Sequence, residues 1–277
     1  VASGVYVIDD KLIEDTAAGK GGMEHPSNLG VQLARELQKE FGGRIFMVDP
    51  PCVDELCDMA RMTGIDGVPR HTNMHALNLR GVAMHHAKHV LGKKYEDCCF
   101  IVCHIDGGIS VSAHRYGRII DCNDAAGGDG PYTPTRIGSV SVADILEYVR
   151  DKDIDEVKKL CTRTGGFVSH FGTSSSDNVH KMAEEGNKKA IRVWDGMKYQ
   201  IVKYIGAMAA VLGGRVDGIL LTGGLLRFED ITQTIREQCG WIAPVSTYPG
   251  EVEHEALAAG ALRVLRGEEE PKHYTGR

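Results

Sequence analysis

Two continuous apolar stretches that each end in a pair of glycines constrain the fold of this chain most strongly. The first, CCFIVCHI, leads into Asp-Gly-Gly at residues 106–108, and the second, VDGILL, leads into Thr-Gly-Gly at residues 222–224. Short apolar runs of this kind are typical of strands buried on both faces of a sheet. Helical patterns alternate with these strands along the chain, so the sequence predicts an α/β fold.

The periodicity of the remaining sequence predicts further elements around these two strands. Apolar residues at helical spacing predict helices over residues 29–41 and 73–94, a short helix over 53–64, and one long helix over about 178–213. The stretch GRIFMVDPP predicts a strand that ends at Asp49 and is closed by two prolines. The stretch ISVSAHRYGRIIDCN alternates and turns at its Tyr-Gly pair, which predicts a hairpin.

Length, charge and cysteine usage exclude several classes of protein. A chain of 277 residues can form one large domain or two medium ones. A net charge of −6 argues against broad binding to nucleic-acid phosphates, and no apolar run approaches the roughly 20 residues needed to cross a membrane. The eight cysteines include no CxxC pair, which favours reduced thiols in a cytoplasmic protein.

The two glycine turns are candidates for a ligand site, although each alone is also explained by a structural bend. Ligands of open α/β folds lie beyond the carboxyl ends of strands, where bare glycine backbone can offer N–H groups to phosphate oxygens. Neither turn fits GxGxxG or GxxxxGK[ST]. A dinucleotide-binding dehydrogenase or a P-loop enzyme therefore has no support from a motif.

Three further polar residues lie at the edges of predicted elements. Arg136 stands in the loop GDGPYTPTRIG, and an arginine suits bidentate contact with phosphate or carboxylate. Asp49 ends a predicted strand, and His75 lies in NMHALN at the start of a predicted helix. Taken singly, the arginine reads as a surface residue and the other two as a cap or a hydrogen-bonded histidine.

Taken together, these stretches resemble the acetokinase family of the actin-like, sugar-kinase and Hsp70 superfamily, and within it the butyrate kinases. The resemblance runs from about residue 24 to about residue 270 in the family's order, through EHPSNLG, FMVDPPCVDEL, HALNLRGVA, HIDGGISVSAHRYGRIIDCN, GDGPYTPTRIG, IGAMAAVLGGRVDGILLTGG and APVSTYPGEVEHEALAAGALRVLRGEE. It implies two ribonuclease-H-like domains with a cleft between them. The nucleotide-binding domain would span residues 50–253, and an incomplete N-terminal domain would combine residues 1–49 and 254–277.

The resemblance also implies which residues form the site. Those implied for catalysis are Asp49, His75, His104 and Arg136. Those implied for nucleotide binding are Asp106, Gly107, Gly108, Ser110, Thr222, Gly223 and Gly224. Those implied for the acyl pocket are His25 and Asn28, and the acid associated with magnesium is Glu253 or, less favoured, Glu251.

The implied reaction is the reversible transfer of a phosphoryl group from ATP to butyrate, with Mg²⁺, to give ADP and butyryl phosphate. A carboxylic acid with a pKa of about 4 to 5 is already ionised at neutral pH, so the reaction needs no general base. Alternatives are a kinase for acetate, propionate or isobutyrate, and a nucleotide-binding but catalytically impaired member of the same fold. A structural module without a nucleotide site is a third alternative. The family implies a homodimer or higher homo-oligomer.

Two departures from the family pattern qualify this interpretation. Butyrate kinases usually carry three glycines where this chain has Asp106 before two glycines. A carboxylate at that place would either repel the nucleotide phosphates or help to hold Mg²⁺. The family's first phosphate loop is expected before residue 1, so we expect the chain as given to be inactive or nearly so.

Overall fold

The computed structural model describes residues 1–20 and 28–276 of the chain. Its strands and helices, in chain order, are β1 (Val5–Val7), α1 (Asp10–Ala17), α2 (Asn28–Phe41), β2 (Phe46–Val48), α3 (Asp58–Arg61), α4 (Ala76–His89), β3 (Cys99–Ile105), β4 (Ile109–Arg115), β5 (Arg118–Cys122), α5 (Val142–Tyr148), α6 (Ile154–Thr162), α7 (Gly166–Phe171), α8 (Ser176–Glu184), α9 (Lys188–Val211), β6 (Gly218–Gly223), α10 (Glu229–Cys239), β7 (Val245–Pro249) and α11 (Glu253–Leu265).

A five-stranded mixed sheet forms the centre of the larger part of the molecule. Its order is β5-β4-β3-β6-β7, in which β3, β4 and β5 form an antiparallel meander and β6 and β7 run parallel to β3. Every residue of β3 and β6 is buried, as the two apolar stretches predict.

Alternate residues of β3 explain why both of its faces are apolar. Ile101 and Cys103 pack in the core that includes α9, whereas Phe100 and Val102 pack in the core that includes α4. Side chains of a strand alternate between the two faces of the sheet. His104, two residues after Val102, therefore lies on the face covered by α4, and this placement determines its neighbours.

The smaller part of the molecule consists of the antiparallel pair β1 and β2 with helices around it. Helix α11 returns from the far end of the chain to contact β1, β2 and α4. A Cβ atom at Gly81 of α4 would lie 2.9 Å from the Cβ of Ala256, so this glycine allows α4 and α11 to approach closely. The division into residues 1–49 with 254–277 and residues 50–253 stays a prediction.

Some elements differ from the expected ones. The long helix expected over 178–213 is two helices, because Gly186 adopts a φ of +86° and the side chain of Asn187 caps α9 by accepting the N–H groups of Lys189 and Ala190. The helix expected over 53–64 shrinks to the four residues of α3. The stretch ISVSAHRYGRIIDCN forms the predicted hairpin of β4 and β5.

The structure also describes the state of the cysteines and the character of the helices. Each of the eight cysteines is a free thiol. Within residues 1–20 and 28–276, no helix combines the length and the apolar character needed to cross a bilayer.

Candidate active site

The two glycine turns leave the sheet at the same edge. Strands β3 and β6 are parallel neighbours, and His104 of β3 pairs in register with Thr222 of β6. The turn at residues 106–108 connects β3 to β4 as a hairpin, and the turn at 222–224 leads from β6 into a short 3₁₀ helix. Both turns therefore lie beyond the carboxyl ends of adjacent strands.

The carboxylate of Asp106 links the two turns directly. One of its oxygens, Oδ1, accepts the N–H of Gly107 at 2.7 Å, and the other, Oδ2, accepts the N–H of Gly224 at 2.6 Å. Asp106 does not adopt a positive φ, so it needs none of the backbone freedom of glycine. Both carboxylate oxygens therefore accept hydrogen bonds from backbone donors of the turns themselves.

Gly108 is a glycine because two side chains lie against it. Its φ is not positive, but a Cβ atom there would lie 2.6 Å from Nη1 of Arg136 and 3.0 Å from Cε1 of His75. The missing side chain thus makes room for Arg136 and His75, two of the residues predicted for catalysis. The structure brings both of them to the first glycine turn.

Two threonines fix the loop that carries Arg136. Thr133 Oγ1 donates to the carbonyl of Gly107 at 2.7 Å and accepts the N–H of Arg136 at 3.1 Å. Thr135 Oγ1 donates to the same Gly107 carbonyl at 3.2 Å. The loop and the turn are therefore one hydrogen-bonded unit.

The hydrogen-bonding capacity of the Arg136 guanidinium is only partly used within this unit. Its Nη1 donates to the carbonyl of Ala125, whereas its buried Nε has no hydrogen-bond partner among the described residues. Burial lowers the pKa of Arg136, and the charge of Asp124 opposes this shift only in part. A half-buried cation with an unused donor provides a favourable site for an anion.

Two stacked histidines stand beside Arg136. The rings of His75 and His104 lie 3.9 Å apart between centroids and are inclined by 18°. Nδ1 of His75 lies 2.9 Å from Oγ of Ser110. Burial lowers the pKa of His104 to about 4, against the opposing charge of Asp106, so its imidazole is neutral at neutral pH.

Glu251 completes a group of potential metal ligands. His104, Asp106 and Glu251 each place one ligand atom within 4.8 Å of the other two, and Glu251 Oε1 lies 3.7 Å from Nε2 of His104. Burial and the charges of Glu253 and Asp106 raise the pKa of Glu251. Two carboxylates suit a hard cation such as Mg²⁺. This group contains the acid that was less favoured from sequence, whereas Glu253 is the first residue of α11.

Asp49 lies apart from this group in a buried network of its own. Its φ of 39° is unusual for a residue other than glycine, and its Oδ1 accepts the N–H of Gly4 at 2.6 Å. Its Oδ2 pairs with Nε of Arg80 at 3.2 Å, while burial raises the pKa of Asp49. Arg80 lies on α4, and His75 directly precedes this helix. The ion pair with Arg80 therefore connects Asp49 to the element that positions His75.

The other predicted residues divide between buried and undescribed positions. Ser110 and Thr222 are fully buried, and Thr222 Oγ1 donates to the carbonyl of Gly250 at 2.9 Å, so both hydroxyls make contacts inside the protein. His25 lies outside the described residues, and Asn28 begins α2 with a side chain that is not described. Their assignment to an acyl pocket stays a prediction.

Comparison with known proteins shows the family to which the chain belongs. Residues 68–242 match the acetokinase family. The chain is 41% identical, over 99% of its length and 77% of the relative's, to a "probable butyrate kinase" of Coprothermobacter proteolyticus. It is 45% identical, with the same coverage, to proteins of that description from Caldanaerobacter subterraneus and Listeria monocytogenes. The chain belongs to the acetokinase family.

Solved structures of acetokinases share this fold. The acetate kinase of Porphyromonas gingivalis superposes with a TM-score of 0.81 at 20% identity, over 95% of this chain and 75% of that one. A propionate kinase of Francisella tularensis gives 0.76 at 16% identity, over 94% and 75%. The predicted fold class and family are thereby confirmed, as is the predicted enzyme class, a phosphotransferase with a carboxyl group as acceptor.

Proposed function

We propose that this acetokinase transfers the terminal phosphoryl group of ATP to butyrate, giving ADP and butyryl phosphate. The observation that carries this proposal is the half-buried Arg136 guanidinium, which lies against the Gly108 turn and whose Nε has no hydrogen-bond partner among the described residues. Phosphoryl transfer spreads negative charge over the oxygens of the moving group. A preorganised cation with a free donor stabilises that charge.

The acceptor needs little activation. Because a fatty acid is ionised at neutral pH, the protein has to bring two anions together rather than remove a proton. In this proposal Arg136 and His104 contact the transferring group, and the turn at 222–224 holds the nucleotide. Bound Mg²⁺ would neutralise phosphate charge, and the carboxylates of Asp106 and Glu251 fit its preference for oxygen ligands.

The choice of butyrate follows the relatives, which are described as probable butyrate kinases. Butyrate exceeds acetate by two methylene groups, and each contributes about 0.8 kcal/mol when buried. A small change in the acyl pocket can therefore move the preference among acetate, propionate, butyrate and isobutyrate.

Trapping of acyl phosphates with hydroxylamine tests the proposal directly. The chain and a version joined to the first phosphate loop of a butyrate kinase relative are each incubated with ATP, Mg²⁺ and each straight or branched acid from acetate to valerate, and the hydroxamate is measured. We expect the highest kcat/KM with butyrate in the version that carries the loop. A higher value for acetate or propionate would contradict the butyrate assignment, and hydroxamate from none of the acids with either protein would contradict the kinase function.

A second candidate function is nucleotide binding without efficient turnover. It is favoured by Asp106, whose carboxylate already occupies the N–H groups of Gly107 and Gly224. Under this alternative ATP raises the melting temperature, because a ligand that binds only the folded state stabilises it. No acyl phosphate forms in the same preparation.

We further propose that the enzyme acts in the cytoplasm as a homodimer or a higher homo-oligomer. The free state of all eight cysteines fits a reducing compartment. Light scattering coupled to size-exclusion chromatography measures the mass of the assembly, and a monomeric mass would contradict the oligomer.

A further inference from the structure

Asn78 joins four segments of the protein beneath the histidine pair. It lies on α4, its side chain is completely buried, and the sequence pattern gave no reason to select it. Its Nδ2 lies 2.8 Å from Nδ1 of His104 and 3.3 Å from Oγ1 of Thr222. Its Oδ1 accepts the N–H of Val252 at 3.3 Å, next to Glu251. One amide on α4 thus contacts β3, β6 and the segment before α11.

The orientation of this amide follows from its partners. The backbone N–H of Val252 can only donate, so the atom that faces it must be the oxygen of Asn78. The hydroxyl of Thr222 uses its proton on the carbonyl of Gly250, so its oxygen accepts from Nδ2 of Asn78. In this orientation both N–H groups of the amide and its oxygen have hydrogen-bond partners. The reverse orientation would place the NH₂ group of Asn78 against the N–H of Val252, so that two donors would face each other.

The tautomer of His104 follows in turn. Because Nδ2 of Asn78 can only donate, Nδ1 of His104 accepts and carries no proton. The ring proton therefore lies on Nε2, the nitrogen that points towards Glu251 at 3.7 Å. Neither ring nitrogen then has a free lone pair for a metal ion, which leaves Asp106 and Glu251 as the candidate ligands. The stacked ring of His75 restricts the plane of the imidazole.

We propose that Asn78 is a positioning residue that holds His104 with its proton on Nε2. The ring then offers a hydrogen-bond donor to phosphate oxygens of the nucleotide and does not serve as a base. The nature of this ligand rests on the proposed kinase function, whereas the assignment of the tautomer does not. An acceptor that is already ionised leaves no proton for His104 to remove, which agrees with this role.

Nuclear magnetic resonance of the protein labelled with ¹⁵N-histidine reads the tautomer without any turnover. Two-bond ¹H–¹⁵N correlations distinguish the protonated from the unprotonated ring nitrogen, and the His104→Gln variant assigns the signals. We expect a proton on Nε2 and none on Nδ1 of His104 in the wild-type protein. A proton on Nδ1 overturns the proposal, whatever the activity.

The Asn78→Asp variant changes the chemistry of this contact with little change in shape. A carboxylate still accepts the N–H of Val252 but can only accept from His104, so we expect the proton on Nδ1. In the Thr222→Val control the amide keeps its contacts with Val252 and His104, and we expect the proton to stay on Nε2. An Nδ1 without a proton in Asn78→Asp, or loss of Nε2–H in Thr222→Val, would overturn the proposal.

Kinetics separate positioning from a general effect on stability. We expect Asn78→Asp to lower kcat by roughly 100-fold, with the KM values for ATP and the acid changed only a few-fold. A rise in KM with unchanged kcat would show that Asn78 acts on binding, against the proposal. If the tautomers are as expected but no acid supports turnover, the kinase function fails while the positioning role stands.

Discussion

The two glycine turns have similar sequences, yet their glycines serve different physical purposes. Gly108 has an ordinary φ, and a side chain there would strike the ends of Arg136 and His75. Gly223 has a φ of 106° and a ψ of 161°, which are essentially restricted to glycine. A Cβ atom on Gly223 would lie 2.3 Å from the carbonyl oxygen of Ile105.

This difference separates the two roles that a Gly-Gly pair at a strand end can have. Gly108 of the first turn leaves space for the side chains of Arg136 and His75, whereas Gly223 of the second turn allows its backbone to pass close to that of Ile105. Substitution at the first turn should therefore affect catalysis, and substitution at the second should affect folding. Asp106 accepts hydrogen bonds from both turns, so its substitution should affect binding of the nucleotide that we propose for this site.

The largest effect is expected at Arg136, the residue for which the first turn makes room. Replacement by alanine removes the cation from the transferring group and should lower kcat by about 1,000-fold, with a smaller change in KM. Steady-state kinetics measure both constants. Arg136→Lys keeps the charge but loses the planar fork, so it should restore only part of the rate. An unchanged kcat with a raised KM would contradict the assigned role.

Gly223→Ala tests the second turn. A side chain at this position is disfavoured by the positive φ and would also collide with the backbone of Ile105. Relieving either conflict would require a shift of the backbone, which costs free energy. We expect the free energy of unfolding to fall by about 3 kcal/mol. Urea denaturation measures the loss. Gly107→Ala is the matched control, because it has no positive φ and no heavy atom near the added Cβ. Equal stability of the two variants would remove the distinction between the turns.

The sequence predicted the strands and helices around the candidate site better than the side-chain contacts within the site. The apolar runs predicted the buried strands β3 and β6, and the glycine pairs predicted the turns at the ends of these strands. The break between α8 and α9 depended on one Gly-Asn pair inside an otherwise helical pattern. A helical period cannot show such a break, because each half keeps the same spacing.

Side-chain partners depend on contacts between residues far apart in the chain, which periodicity does not contain. Asn78 reads as an ordinary polar residue of a helix, and its role appears only when α4 covers the face of β3 that carries His104. Glu251 and Glu253 are two residues apart, and only the position of the segment before α11 groups Glu251 with His104. The resemblance to the acetokinases supplied candidate roles that spacing alone could not.

Gly108→Ala sharpens the contrast within the first turn. The added methyl group meets the ends of the Arg136 and His75 side chains and no backbone atom among its nearest neighbours, so the fold should tolerate it while the guanidinium shifts. We expect kcat to fall roughly 100-fold, because displacement of a catalytic group by about 1 Å has an effect of this size. The melting temperature should stay within a few degrees of the wild type. A large loss of stability with normal kcat would assign Gly108 to folding instead.

Asp106→Asn tests the link between the two turns, and its expected effect, a change in the affinity for ATP, is the smallest of the set. The amide keeps the shape of the side chain but removes a negative charge beside the proposed phosphate site. Without Mg²⁺, ATP should bind about tenfold more tightly than to the wild type, since repulsion between like charges is relieved. With Mg²⁺ the gain should shrink or reverse, because Asp106 is one of the two carboxylates proposed to hold the ion. Isothermal titration calorimetry in both conditions measures the two affinities. Weaker binding of ATP by the variant without Mg²⁺ would mean that the carboxylate acts mainly by holding the two turns in place. The conformation of each glycine turn would then depend on the other turn.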